Sequence, residues 1–421
     1  MKLFKHMTKF IFLFLIIFSS ASFGEEIEVD DLMPEISGSY AVTIDVETGE
    51  IIYAKDIDVR TYPASTTKIM TALIFAENMD KNDVLTYTED ALLQPSYSLN
   101  KDYGPFNVGY EMTGDTVMKS LLLYSANDVA VIVKDALASK DIDLMRKINN
   151  RFKALGLKNS NFVTPNGLHD ENHYTSAYDL ALMTKESFSN PWIQEVLSLD
   201  ETSITIETGV LKVENSNVKL NNRGQIFSKT GYTKFAGRCL VAVYERDGRK
   251  LVGVVLDSVF DPDDTVVFKD MDIIMDWSFE QNRISFMDDF KESYSISVDY
   301  YPLKYLGEKV TQEIPLVFEG DYLYYPNEVN RAELTYETVM YDMDAESLNK
   351  ETPVGELVIK SRNMVQKINL YPTLDLNDLY AQHSELYRLI FYAVVVLTVI
   401  LLLSIALLVR RLRKGKRKRF Y

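Results

Sequence analysis

The sequence predicts an α+β protein in three parts: a domain with a mainly antiparallel sheet covered by helices, a small all-β domain, and a C-terminal transmembrane helix. Three observations carry this. Strand-like hairpins stand near both ends of the stretch up to residue 282, with helical stretches between them. From Ile284 to about Leu376 the pattern changes to short alternating strands. Leu389–Val409 is 21 residues without a charge, and as a helix it would be about 31 Å long, matching a bilayer core.

Each part has its own signals. Residues 1–24 read as a signal peptide, with Lys2, Lys5 and Lys9 around a short apolar run, Phe10–Phe18, and small Ser22 and Gly24 before Glu25. The first domain covers 25–282. Tyr40–Asp45 and Glu50–Ala54 form an expected hairpin around Thr48-Gly49. Asp115–Ala138 and Ser176–Phe188 read as helices. Arg238–Arg246 and Lys250–Asp257 form a second hairpin around Asp247-Gly248. Residues 283–376 are expected as the β domain, with strands at Tyr294–Tyr301, Val310–Phe318, Leu334–Tyr341 and Glu356–Leu370, the last folding back at Ser361-Arg362-Asn363. This domain carries no chemical cluster and reads as a spacer or docking module. Residues 377–388 are a juxtamembrane linker, 389–409 the span, and 410–421 a tail with eight Lys or Arg residues. Positive-inside bias puts that tail in the cytoplasm and the chain from Glu25 to about Arg388 outside.

Charge and rare residues narrow the function. The formal net charge is −16; setting aside three signal lysines and eight tail cations leaves about −27 on the exported part. Such a surface repels nucleic acid and tends to stand off from anionic lipid. One cysteine, Cys239, excludes an internal disulfide framework. The four histidines form no zinc spacing, and no Gly-x-Ser-x-Gly elbow marks a Ser-His-Asp enzyme.

The chemistry concentrates in three short clusters. In Tyr62-Pro63-Ala64-Ser65-Thr66-Thr67-Lys68, Ser65 and Lys68 are i and i+3 at the start of an apolar helix. Such side chains are neighbours, and unpaired N–H groups lie at that helix end. A hydroxyl, an amine and anion-binding donors therefore share one turn. The second cluster is Leu121-Leu122-Leu123-Tyr124-Ser125-Ala126-Asn127-Asp128, and the third is Ser228-Lys229-Thr230-Gly231-Tyr232-Thr233. Ser-x-x-Lys alone is weak, arising by chance about once or twice in a chain of this size, and Ser-x-Asn is weaker still, while Lys-Thr-Gly is stronger, expected in roughly one such chain in ten. All three in order, spaced by 60 and 104 residues, are a strong signal.

On these clusters the sequence resembles the low-molecular-mass penicillin-binding proteins, serine-type D-alanyl-D-alanine carboxypeptidases of the β-lactamase/DD-peptidase superfamily. The resemblance covers about 26–376. It is close at Tyr62–Glu77, Leu121–Val131, Thr164–Leu168 and Lys229–Val243. It implies catalytic Ser65, Lys68 and Ser125, and substrate-binding Asn127, Lys229, Thr230, Gly231 and Tyr232. Ser65 would be the nucleophile, Lys68 its base, and Ser125 the shuttle that passes a proton to the leaving amine. Asn127 would hold the substrate amide, and Lys229 and Thr230 would attract its carboxylate. Gly231 would let the peptide approach, and the N–H groups of Ser65 and Tyr232 would form the oxyanion hole. The implied partners are the D-Ala-D-Ala stem peptide of peptidoglycan and β-lactam inhibitors, with no metal or organic cofactor required.

Two features depart from the family. Asn222-Arg223 lies only a few residues before Lys229, which weakens a substrate role for Arg223. The loop after the last strand is acidic (Asp257, Asp261, Asp263, Asp264), where some relatives place an arginine. A transpeptidase, endopeptidase or β-lactamase would use the same site, and a non-enzymatic peptidoglycan-binding or sensor protein could keep the same fold.

Overall fold

A computed structural model describes residues 33–216, 222–304, 307–362 and 364–417. The expected signal peptide, residues 1–24, lies outside the described residues, as does the end of the basic tail. By its contacts the chain falls into two units. One runs to Ile284 and takes in Tyr324–Ala332; the other holds Ser285–Leu323 and continues from Glu333.

The first unit is built on a five-stranded antiparallel sheet. Its strands are β1 (Tyr40–Asp45), β2 (Ile51–Lys55), β3 (Gln225–Thr233), β4 (Gly237–Arg246) and β5 (Arg249–Ser258), in the spatial order β2-β1-β5-β4-β3. Both expected hairpins are present. The central strands are apolar in nearly every position because both faces are buried, as strands covered on two sides must be. Val42, Val241, Val243, Val252 and Val254 face the larger core. Ala41, Leu240, Ala242, Leu251 and Val255 face the other way, against Val267, Phe268, Met271 and Ile274. Those residues lie on a helix, Val266–Glu280. That helix comes so close that a Cβ on Gly253 would lie 2.4 Å from Met275 Cε.

The larger core holds the helices that carry the site: α1 (Lys68–Asn78), α2 (Gly114–Lys119), α3 (Asn127–Ala138) and α4 (Ala177–Phe188). From Lys68 to Phe75 every residue of α1 is buried, so its sequence shows no polar face. The sequence reading of Asp115–Ala138 as one helix is corrected. A π turn at Ser120–Tyr124 ends in Ser125, whose backbone is left-handed at φ 68°, and α3 starts afresh at Asn127. The break is held by Asn127 N–H, which donates to Tyr97 O at 2.7 Å instead of continuing the helix ladder.

The stretch Tyr324–Ala332, which the sequence reading places in the β domain, packs with the first unit. The Asn327 and Asn330 side-chain amides donate to Ile51 O at 2.7 and 2.8 Å. In the second unit, β6 (Ser295–Tyr300), β7 (Val310–Glu319), β8 (Thr335–Met340), β9 (Gly355–Ser361) and β10 (Met364–Pro372) make an antiparallel sheet ordered β6-β7-β10-β9-β8. The juxtamembrane stretch is helical: Leu376–Ala381 is one short helix, and Ser384–Arg417 is another that runs unbroken. The latter is long and apolar enough to cross a membrane over Ser384–Arg413.

Candidate active site

Ser65 sits in a 3₁₀ turn, Ala64–Thr67, that leads directly into α1. The turn begins with strain: Ala64 has φ +49°, a conformation that costs a residue with a Cβ. Its carbonyl is pinned by Thr67 Oγ1 at 2.8 Å. Gly167 closes over it, and a Cβ there would lie 1.8 Å from Ala64 O and 2.7 Å from Thr67 Oγ1. The glycine of Asn166-Gly167 is therefore required both by its φ of +80° and by this approach.

Lys68 Nζ lies 2.9 Å from Ser65 Oγ, and also donates to Asn127 Oδ1 at 3.0 Å and Asn166 O at 2.9 Å. These three neighbours are uncharged. The side chain is fully buried. Burial drives its pKa well below the ordinary lysine value, the Lys229 ammonium pushes it further down, and Asp128 opposes weakly. Lys229, on β3, is also buried, with Nζ donating to Thr230 O at 3.0 Å. Burial first, and then the Arg238 guanidinium, bring its pKa down to about 7.

The structure thus brings together Ser65, Lys68, Asn127 and Lys229 from three separate clusters. Ser125 stands at the same break between helices as Asn127, but bonds to neither lysine. Its Oγ is buried and has no hydrogen-bond partner among the described residues. Of the Asn127 amide, Oδ1 accepts from Lys68 and Nδ2 donates to Ser96 O at 3.0 Å, so both ends are engaged. Thr230 Oγ1 pairs with Ser216 Oγ at 2.7 Å. Gly231 faces the nucleophile turn, and a Cβ there would lie 2.9 Å from Ser65 N. β3 is an edge strand of its sheet, and Tyr232 stands exposed at its rim, stacked on Phe260 at 4.5 Å.

Two functional groups escape the sequence reading. Asn166 contributes only a backbone carbonyl to Lys68, and a carbonyl has no sequence signature. Arg238, opposite Tyr232 across the β3–β4 pair, reaches Gly231 O with Nη1 at 3.4 Å. The acidic loop is what holds it there: Asp264 takes Nε at 2.7 Å and pairs with Nη2 as well. An arginine thus stands beside the end of β3, with its carboxylate partner supplied by the acidic loop. Arg223 is engaged elsewhere, with Asp276 at 2.8 Å.

Behind the site, Asp128 is buried and ties three segments together. It accepts from Tyr87 OH, from Asn100 N–H at 2.9 Å and from Val129 N–H at 2.9 Å. The wall carrying Ser96 and Tyr97 is thereby fixed against Asn127.

Comparison with known proteins places this architecture. A family model described as D-alanyl-D-alanine carboxypeptidase (peptidase family S11) matches residues 27–259, more than half of the chain. The D-alanyl-D-alanine carboxypeptidase DacF of Bacillus subtilis is 33% identical over 228 residues. That match covers 51% of this chain and 56% of the relative, so this chain spans little more than half of that protein's length. Among solved structures, the Streptomyces K15 DD-transpeptidase aligns with a TM-score of 0.53 and 25% identity, over 59% of this chain and 99% of that one. Penicillin-binding protein D2 of Listeria monocytogenes, in its ampicillin-bound form, gives 0.52 and 27%, over 59% of this chain and 100% of that one. With this fold and the family match over residues 27–259, the chain belongs to the D-alanyl-D-alanine carboxypeptidase family, peptidase family S11.

Proposed function

We propose that this chain is a membrane-anchored serine D-alanyl-D-alanine carboxypeptidase that shortens peptidoglycan stem peptides. The observation that carries the reading is the buried amine of Lys68, 2.9 Å from Ser65 Oγ and, among the described residues, hydrogen-bonded only to uncharged groups. A neutral amine has two N–H donors and one lone pair. Asn127 Oδ1 and Asn166 O can only accept, so they take the two donors. The lone pair is left for the Ser65 hydroxyl, and Lys68 acts as the general base.

Ser65 Oγ then attacks the carbonyl between two D-alanines. The new C–O bond forms, the C–N bond breaks, and free D-alanine departs from the acyl-enzyme. The proton leaves Ser65 through Lys68 and reaches the departing amine through Ser125, whose hydroxyl has no competing partner among the described residues. The N–H groups of Ser65 and Tyr232 stabilise the oxyanion. The extended peptide pairs with the edge of β3, where Gly231 allows close approach. Lys229, Thr230 and Arg238 together supply the field for its carboxylate, and Asn127 must share its amide when substrate arrives. β-Lactams acylate the same serine. One C-terminal helix anchors the chain, with the catalytic domain outside and the signal peptide removed. The acidic exported surface leaves no role for nucleic acid.

The likeness to a DD-transpeptidase favours one second reading, in which the acyl group passes to an amine instead of water. Diacetyl-lysyl-D-alanyl-D-alanine, offered with and without glycine as acceptor, separates the two. The expected products are free D-alanine and the shortened peptide in both reactions. A glycine-capped peptide as the main product would establish transfer, and no D-alanine release in either would overturn the proposal.

A further inference from the structure

The first residues of the long C-terminal helix are not a free tether. Tyr387 OH donates to Pro302 O, and just before the helix His383 Nε2 pairs with Tyr300 OH at 2.8 Å. The Tyr300 ring also stands edge-on to Tyr380 at 6.1 Å, and Lys304 Nζ lies 5.3 Å above that same Tyr380 ring. The end of β6 and the residues after it are thus fastened to the base of the helix and the residues just before it by four contacts.

These contacts set a depth. The charge-free run begins at Leu389, two residues beyond Tyr387 on one unbroken helix. At about 1.5 Å of rise per residue, the Tyr387 backbone lies only about 3 Å outside the level where hydrocarbon begins, and its hydroxyl, at the end of a side chain tilted toward the helix N-terminus, meets Pro302 somewhat further out. The headgroup layer on each side of a bilayer is about 5 to 8 Å thick. If the helix spans, the backbone after β6 stands at the level of that layer.

The chemistry of the segment fits that depth. Tyr301 is 39% exposed and flanked by Lys309, whose Nζ lies 5.5 Å over its ring. Leu303 and exposed Lys304 follow. Tyrosine rings favour the interface, and lysine stems lie along apolar surface while their ammonium groups reach phosphate. We propose that Tyr301, Leu303, Lys304 and Lys309 form a second membrane contact, seated among the lipid headgroups beside the spanning helix. The acidic chain as a whole tends to stand off from anionic lipid, but this corner of the β domain does not. The inference rests on the reading of Ser384–Arg413 as a span.

The test uses the full chain in lipid nanodiscs containing brominated phospholipid, with single tryptophans introduced at three places. Tyr301→Trp keeps an aromatic ring under Lys309 and reports the proposed contact. Leu397→Trp reports the span itself. Val365→Trp is a control at the far end of the sheet: Val310 pairs with Tyr300, Glu319 with Asn369, and Val365 lies further along β10. Native Trp192 and Trp277, both in the first unit, set the background. The expected result is a blue shift and strong loss of the added emission at 301 with bromines near the headgroup. Deep bromines should quench position 397, and neither kind should affect position 365. Quenching at 397 without quenching at 301 would overturn the contact and leave the span standing. Quenching at neither would overturn both, and quenching at 365 would show the domain lying flat and refute seating by this corner.

Discussion

At the scale of single residues, the two buried lysines carry the argument. Lys229 depresses Lys68, and Arg238 depresses Lys229, so the cations form a chain in which each makes the next easier to neutralise. Two such amines titrate as a coupled pair. Lys229→Ala removes the cation that lowers Lys68, so the Lys68 pKa must rise. The rising limb of acylation rate against pH should move to higher pH by about 1 unit. Second-order acylation across the pH range checks this; a uniform drop with an unmoved limb would make Lys229 a substrate-binding group that leaves Lys68 untuned. Ser65, Lys68, Asn127 and Lys229 were legible in the sequence because each lies in a short cluster of rigid spacing. Asn166 and Arg238 were not. The first acts through its backbone, and the second depends on which residue faces Tyr232 across a strand pair and on where Asp264 ends up.

At the scale of elements, the nucleophile turn is held from behind by His173. Its Nδ1 accepts from Val163 and Thr164 N–H groups at 3.1 and 3.2 Å, which places the proton on Nε2, 2.9 Å from Thr67 Oγ1. Burial pushes its pKa down from 6.5 to about 4. The unfolded chain therefore binds this proton first as pH falls. The contribution to stability is complete above pH 6.5 and declines as pH drops toward 4. Between pH 7.5 and 5 the loss should be about 2 kcal/mol. Denaturant unfolding at those two pH values should show His173→Gln losing less stability than wild type by about that amount; equal losses would contradict the assignment. Hairpins and the buried α1 were readable because turn residues and unbroken apolar runs leave clear marks. The break at Ser125 was not, because Asp115–Ala138 keeps helical composition throughout. What divides it is a tertiary bond from Asn127 N–H to Tyr97 O.

At the scale of the whole molecule, the composition itself orders the chain. Under the proposed topology, the basic residues that follow Leu389–Val409 stay in the cytoplasm and the acidic part of the chain stands outside. Protease added to intact protoplasts should digest the acidic part and leave a small C-terminal fragment; protection of the full chain would reverse the assignment. The broad outline of two folded parts and a helix was legible from strand alternation and from Leu389–Val409. The return of Tyr324–Ala332 to the first unit was not, since it rests on two asparagine amides finding one distant carbonyl.

The account turns on Ser65 being the nucleophile, and labelled penicillin tests that most directly. After incubation with the full-length protein, peptide mapping should find one label, on Ser65. The Ser65→Ala variant should take up none while melting as wild type does. A label on any other serine, or one that survives in Ser65→Ala, would contradict the account.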